Sequence, residues 1–558
     1  MNFLRPPLLL SFVLLAATLR PAASAAEPAG ELLYNGIRLP AEWPVRNRDP
    51  KVREPLPAPY LKSPPAVIPI DVGRQLFVDD FLIAETNLTR TFHLARKYEG
   101  NPVFKPTTPD ELGPADGQRA VTYLGHGGVF YDPAAALFKM WYTADWRGGL
   151  ALATSRDAIN WERPNLGLAG GNLILARNSA HVGGDNSVWL DTNATDLTAR
   201  VKFLADDTGK RKSHFLSTIA DDGRVLNETA AGNAGDYCSF FYNPFRRVWV
   251  YSIKRGGPHG RNRYYAESPV YGQPAAFDRS VYWADADDLD KPDPRIGDAP
   301  QLYSLSAVAY ESIMLGTFQI LLGPRNSICE LGLFPKFTEL KLGFSRDGFN
   351  WARPDRRAFI GPTRRDGDWD RGYVHTTTGV CLVVGDELYF PFTAYSGIAP
   401  DGKHRGMYTG AAVGLAVLRR DGFASMDAKA AAGTLTTRPV KFGGSRLFVN
   451  VAPAGGELRV AVLDERGGVV PGFGFDDCVA VTQDRTLAAV AWRGGADLGA
   501  LRGRAVKFRF QLTRGSLYAF WVSPDESGAS HGYLAAGGPG HTGIVDTVGR
   551  APSRPSGN

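Results

Sequence analysis

The sequence predicts an all-β chain, a five-bladed β-propeller followed by a C-terminal β-sandwich, and three observations carry that prediction. A decapeptide occurs twice: residues 155–164 read Ser-Arg-Asp-Ala-Ile-Asn-Trp-Glu-Arg-Pro, and residues 345–354 read Ser-Arg-Asp-Gly-Phe-Asn-Trp-Ala-Arg-Pro. A second template, an aromatic strand, a turn with Asp-Pro or Asn-Pro, then another aromatic strand, recurs between about 120 and 420. Finally, 63 glycines and 39 prolines stand against 30 phenylalanines, 21 tyrosines and 11 tryptophans, which describes short strands joined by tight turns. Heptads and long amphipathic helices are missing from the pattern.

The decapeptide reads as a corner between neighbouring strands of a blade. Ser, Asp and Asn turn the backbone through local side-chain hydrogen bonds, and the Trp folds back as an apolar plug. Asp157 and Asp347 therefore read as structural. The second template gives clear units at Val129–Pro133 with Phe138–Thr143 and at Phe240–Pro244 with Val248–Ile253. Weaker copies fall at Val188–Asp191 with Val201–Leu204 and at Val380–Val384 with Leu388–Ala394. A divergent unit from Tyr303 to Phe344 makes five.

Around this array the chain divides by composition. Residues 1–25 carry Arg5, an apolar run from Leu8 to Ala17 and Ala23-Ser24-Ala25, the pattern of a signal peptide, so the reading is an exported protein without membrane insertion. Residues 26–68, rich in proline and charge, read as an irregular lead-in over the surface. The propeller is expected over 69–423, opening with a strand from Gln75 to Ile83 that has a hairpin partner at Thr91 to Leu94. Residues 424–433 read as a linker or short helix. Beyond it, Leu458, Val460 and Val462 alternate with Arg459, and Val506, Phe508, Phe510 and Leu512 with Lys507, Arg509 and Gln511, a sandwich over 434–525. Residues 526–558, rich in Gly, Ser and Pro, read as a disordered tail.

Charge excludes some functions. A net charge of +6 without a basic tail does not indicate nucleic-acid binding. A local basic and aromatic stretch holds Arg246, Arg247, Lys254, Arg255, Arg261 and Arg263 among Trp249, Tyr251, Tyr264 and Tyr265; it reads as a solvated strand edge, with an anion site as the alternative. Cys238, Cys329, Cys381 and Cys478 lack zinc-ligand spacing, and neither metal nor cofactor is called for. The acidic loop Asp285, Asp287, Asp288, Asp290 and Asp293 lacks the glycine of a calcium loop and reads as solvated.

The units with Phe-Tyr-Asp-Pro and Lys-Met-Trp-Tyr, the Ser-Arg-Asp-x-x-Asn-Trp corner, and Leu517-Tyr518-Ala519-Phe520 after Arg509-Phe510-Gln511-Leu512 resemble the five-bladed-propeller glycoside hydrolases. The resemblance covers roughly residues 70–525 and is nearest to the invertase and levanase family, with the arabinanase family more distant. It implies an oligo- or polysaccharide substrate and carboxylates converging on a central pocket. Gly184-Asp185-Asn186 resembles the motif whose Asp stabilises the transition state. The motif of the general acid falls near Asp236-Tyr237-Cys238, where its Glu is replaced, and Glu311 is the candidate to supply the acid. The nucleophile motif falls at Leu124–Gly128, where no carboxylate stands: either Asp79 or Asp80 enters the pocket from the preceding strand, or the chemistry differs, or the chain is not a hydrolase. The structural alternative is that both carboxylates tie the lead-in strand to the first blade through Arg or backbone N–H groups.

Glycoside hydrolysis needs one carboxyl group kept protonated and one ionised, so these acids are weighed by environment. Asp185 follows two glycines, which let a ligand approach the backbone. Glu311 sits between Tyr310 and an apolar run, where desolvation raises a carboxyl pKa. Candidate substrate-binding residues are His126, His375, Asp370, Trp146 and Arg263. The alternatives are a propeller that binds a glycan without cleaving it, and a sialidase-like propeller suggested by the likeness of the corner to an Asp-box.

Overall fold

The computed structural model describes residues 30–113, 119–125, 127–168, 170–177, 179, 181, 185–205, 213–220, 223–273 and 277–549. The expected signal peptide and His126 lie outside the described residues. Five antiparallel sheets form the blades of a propeller. Their inner strands start at Thr122–Tyr123, Asn186–Leu190, Ser239–Asn243, Gln301–Glu311 and Gly372–His375. In blades 1 and 5 the inner strand is interrupted and resumes at Val129–Asp132 and Leu382–Val384. The ring closes with an N-terminal segment: Arg96–Lys97 pairs with Ala416 and Val417 as the outermost strand of blade 5.

Local chemistry explains why the repeats fold alike. In both corners the Asp accepts from the backbone N–H two and three residues on. Asp157 Oδ1 takes Ile159 N at 2.9 Å and Asn160 N at 2.7 Å; Asp347 Oδ1 takes Phe349 N and Asn350 N at the same distances. The turn of the second template works similarly, Asp132 Oδ1 accepting from Ala134 N and Asn243 Oδ1 from Phe245 N, both at 3.1 Å. Asp132 also joins two blades. It is buried and receives both Arg200 Nη1 and Nη2 at 2.9 Å and Lys139 Nζ at 2.8 Å. Burial alone would raise its pKa, but these cations hold it down at about 2.

A separate eight-stranded sheet packs around its own apolar core. Its long strands Arg446–Leu463 and Lys507–Ser523 run antiparallel and are bulged at Pro453 to Glu457. Several expectations are corrected here. Gln75 to Ile83 is not one propeller strand: Gln75–Leu76 pairs with Ala519 and Phe520, and Ile83–Thr86 with Leu435 to Thr437. Residues 75–92 thus belong to the eight-stranded sheet, and Thr89–Phe92 pairs with Ala424 to Asp427 rather than forming a hairpin. The expected linker at 424–433 contains the strand Ala424–Ala428, because small side chains fit between Thr89–Phe92 and Lys507–Ser523. The lead-in is not wholly superficial either, since Leu33, Ile37, Leu39 and Tyr60 are buried in the same core.

The largest correction concerns the tail. Residues 526–549 are ordered and cross the end of the propeller axis opposite the starts of the inner strands. Tyr533–Leu534 pairs with Tyr310 and Glu311 at the end of the blade 4 inner strand. From there the backbone bonds inner strands of three blades: Ala535 N to Ala309 O, Ala536 N to Cys381 O, Tyr131 N to Ala536 O and Val383 N to Gly537 O. The small residues that suggested disorder are what the narrow site requires. A Cβ at Gly538 would stand 1.7 Å from Val383 O. Gly538→Ala should therefore destabilise the fold by about 2 kcal/mol or more, read from thermal or denaturant unfolding; an unchanged midpoint would mean that the tail is not seated there.

His541 lies in the same plug, buried, with Arg420, Arg74 and Asp546 around it. Burial first, then Arg420, pushes its pKa from 6.5 to about 4, against the pull of Asp546. The unfolded chain thus binds the proton more readily, so this contribution to stability is complete above pH 6.5 and is lost as pH falls toward 4. The slope is at most ~1.4 kcal/mol per pH unit. His541→Gln should flatten the acid side of the stability profile between pH 7 and 5; a parallel profile would mean that His541 is protonated in the fold.

Candidate functional site

The five inner strands begin at one end of the axis, and each carries a ring-forming side chain at its start. Blade 1 supplies Tyr123, blade 2 Asp185, blade 3 Tyr237, blade 4 Tyr303 and blade 5 Tyr373. These four tyrosines, with Tyr395 and the partly exposed Trp146 and Tyr408, form an aromatic cluster apart from the main core. His375, fully buried, sits at its centre. Its ring centroid lies 4.1 Å from Tyr373, 5.0 Å from Tyr123, 5.1 Å from Tyr237, 5.8 Å from Tyr395 and 6.2 Å from Tyr303.

Polar atoms within the cluster are organised into pairs. The Tyr237 hydroxyl meets His375 Nδ1 at 2.5 Å, Tyr303 and Tyr373 hydroxyls meet at 2.7 Å, and the Tyr123 hydroxyl donates to Asp185 Oδ1 at 3.1 Å. Burial raises the pKa of all these tyrosines, which keeps them neutral donors. Lys336 Nζ donates to the Tyr303 hydroxyl at 3.3 Å and lies 4.5 Å from the Tyr373 ring centroid. Below the cluster Thr317 and Thr376 hydroxyls meet at 2.8 Å, and Thr378 donates to Gly127 O at 3.1 Å, so the axis is filled beneath His375. At the rim Trp146 and Tyr408 stack at 4.2 Å and 18°. Tyr237 and Tyr373 hold positive φ values of 58° and 47°, a strained conformation for bulky residues that clusters at functional sites.

The sequence-derived candidates separate sharply. Asp185, His375 and Trp146 belong to this cluster. Asp236 stands beside it but, one residue from Tyr237, turns outward; it is half-exposed and ion-paired with Lys254. Desolvation raises its pKa, and Lys254, Arg261 and Arg263 together bring it below the usual carboxylate value. Arg263 is fully buried behind the cluster and donates to Tyr237 O at 2.8 Å.

The other acids are elsewhere. Glu311 is eight residues of strand from Tyr303, about 25 Å, so it cannot serve the same pocket. It is buried in the plug, where Arg420 Nη2 lies 3.1 Å from Oε1 and Arg74 N and Ser530 Oγ donate to Oε2 at 3.1 and 2.7 Å. Asp79 does not enter the pocket: it receives Arg346 Nε at 2.9 Å and Nη2 at 2.8 Å, tying residues 77–81 to the second corner. Asp80 is exposed beside Arg90. Asp370 receives Lys97 Nζ at 2.5 Å rather than facing a ligand. Of the acidic loop Asp288 is exposed but the other four acids are buried; Asp287 and Asp290 meet Arg353 and Arg356, and Asp293 meets Arg364. Among the described residues no cluster of acids, histidines or cysteines is arranged to hold a metal ion.

The residues missed by sequence reasoning are Tyr123, Tyr303, Tyr373, Tyr395, Tyr408 and Lys336, while Arg261 was read only within the basic stretch whose alternative was an anion site. A signal for most of them existed: tyrosine recurs at the start of the repeated units, at the position that blade 2 fills with Asp185.

No family model and no curated protein matches the sequence. Solved structures are similar to it. One is a thermostable family-43 glycoside hydrolase, at 12% identity over 55% of this chain and 93% of that one, TM-score 0.37. Another is a fructofuranosidase from Schwanniomyces occidentalis complexed with fructosylnystose, at 11% identity over 77% and 98%, TM-score 0.36. A third is an α-L-arabinofuranosidase from Podospora anserina in complex with cellotriose, at 10% identity over 59% and 98%, TM-score 0.36. Values this low speak to neither activity nor substrate, and they do not single out the invertase and levanase family. Among the described residues no helix is long and apolar enough to cross a membrane.

The tie between Asp79 and Arg346 is nearly sealed from water, with 4% and 1% of the side chains exposed. Breaking a buried pair from one side costs about 3–5 kcal/mol. Asp79→Asn should lower unfolding stability on that scale while Asp80→Asn leaves it unchanged; equal losses in the two variants would remove the tie.

Proposed function

We propose that the protein is an exported carbohydrate-active propeller that hydrolyses glycosidic bonds at the tyrosine-ringed mouth. The observation that carries this reading is the stacked Trp146–Tyr408 pair at the rim above Asp185 and the Tyr237–His375 pair. Aromatic faces bind the apolar faces of sugar rings, and the hydroxyl, imidazole and carboxylate groups beneath them match sugar hydroxyls. Asp236, kept ionised by its cationic neighbours, suits the base or nucleophile once a bound substrate draws it from Lys254 toward the mouth. Asp185, at the mouth with the Tyr123 hydroxyl donating to it, supplies the second carboxyl group the reaction needs. The eight-stranded sheet reads as a sandwich-type module that braces the propeller and supplies nothing to the mouth.

A second reading is a glycan-binding propeller without turnover. It is favoured by the tyrosines that occupy four of the five strand starts and by the pairing of Asp236 with Lys254. Incubation with a panel of polysaccharides and chromogenic glycosides separates the two. Under the hydrolase reading sugar is released, and Asp185→Asn and Asp236→Asn each reduce turnover by on the order of a hundredfold or more with the fold retained. Saturable binding without release would establish the binder.

A further inference from the structure

Among the described residues, cations at the mouth outnumber its carboxylates, which are Asp185, Asp236 and, beside Tyr408, Glu330. Lys254, Lys336, Arg261 and Arg263 face Asp185 and Asp236, and Lys254 is already paired with Asp236. Among the described residues the other three cations donate hydrogen bonds to neutral groups. Lys336 donates to the Tyr303 hydroxyl, Arg261 Nη1 to Gln301 Oε1 at 2.8 Å, and Arg263 Nη1 to Tyr237 O at 2.8 Å. Arg263 Nε and Nη2 and Arg261 Nε are buried without a hydrogen-bond partner among the described residues. Their placement is convergent: the Arg261 guanidinium lies 5.2 Å from the Tyr303 ring centroid, and Lys336 Nζ 5.1 Å from it. Arg147, exposed next to Trp146, adds a further cation at the rim.

Buried cations lacking an anionic partner are costly to keep, and their field is little screened by salt. Mutual repulsion is visible in Lys336, whose pKa falls to about 8 because of burial first and Arg261 next, against the opposing pull of Cys329, Asp236 and Asp185. An anion entering the mouth would relieve both burdens.

We propose that the mouth is selective for acidic glycans, with the carboxylate or sulfate of an acidic sugar held by Arg261 at the rim and attracted by Lys336 and Arg263 beneath it. The inference rests on the glycan reading of this same mouth and narrows it to a substrate class. A guanidinium forms charge-assisted hydrogen bonds with a carboxylate or sulfate, and Arg261 Nη2 stands outside the bond that Nη1 makes to Gln301. The stacked Trp146 and Tyr408 would hold the sugar ring whose acidic group points toward Tyr303.

The test measures binding and sugar release by the whole protein with polygalacturonate and alginate as uronates, carrageenan as a sulfated glycan, and arabinan and levan as neutral ones. Acidic glycans are expected to be preferred at least tenfold, the uronate and carrageenan arms identifying which acid is recognised. Arg261→Gln, at a partly exposed position, should reduce that affinity tenfold or more. Affinity for the acidic glycan should also fall as pH rises through about 8, where Lys336 loses its proton, and Lys336→Met should flatten that dependence. Neutral glycans processed in preference to acidic ones would overturn the inference and leave the glycan reading standing. Failure of every glycan to bind would overturn both. Acidic-glycan affinity unchanged in Arg261→Gln would assign the binding to the general basic surface and overturn the inference.

Discussion

Two buried arginines and three buried carboxylates hold the molecule's parts in register. Arg74, from the segment before the first sheet strand, meets Glu311 at 3.4 Å and Asp421 at 2.8 Å; Arg420 meets Glu311 at 3.1 Å and Asp546 at 3.4 Å. Glu311 closes the inner strand of blade 4, Arg420 and Asp421 leave blade 5, Asn450 joins from the eight-stranded sheet at 2.9 Å, and Asp546 comes from the tail. Opposite charges removed from water stabilise a structure only when their remaining hydrogen bonds are filled. Here Tyr310, Ser530, Asn450 and the carbonyl of Thr486 fill several of them. Such a network specifies one arrangement of five chain segments, which an apolar contact of the same size would not do as sharply.

The opposite end of the axis is built by a different rule. Propeller inner strands run side by side, as the parallel bridge of Gly128 with Thr378 shows, so their first residues converge on one mouth. A bend just before the blade 3 strand, with Tyr237 at φ 58°, sorts neighbours: Tyr237 turns into the cluster while Asp236 turns out to Lys254. The cluster is aromatic and hydroxyl-rich, with its charge confined to Asp185 and to cations placed behind or beside the rings. The mouth is therefore lined mainly by neutral donors inside a positive surround.

Much of the architecture was legible before any coordinates. The repeated corner and the Asp-Pro and Asn-Pro turns act through hydrogen bonds two or three residues away, so their signal is wholly local. The candidate carboxylates show the opposite case. An Asp or Glu among apolar residues announces a partner or a function, and sequence cannot choose between them when the partner lies far along the chain. Asp79 finds Arg346 267 residues on, and Glu311 finds Arg74 237 residues back. Asp185 and His375 were recognisable because each sits at a strand start, whereas the tyrosines there looked like ordinary core. The tail misled for a related reason: glycine and alanine signal disorder when nothing packs on them, but they also fill a slot bounded by backbone, as at Gly538.

The seating of residues 533–541 across three inner strands has a consequence for biogenesis. Synthesis runs from the amino end, so all five blades emerge from the ribosome before the segment that closes the axis behind them exists. Until it arrives, Glu311 lacks Ser530, Arg420 lacks Asp546, and the apolar ends around Tyr131, Ala309 and Val383 stay open. Sealing of the axis thus comes only after all five blades have been made, and a nascent propeller stalled short of this segment would present a sticky opening to chaperones or to its neighbours.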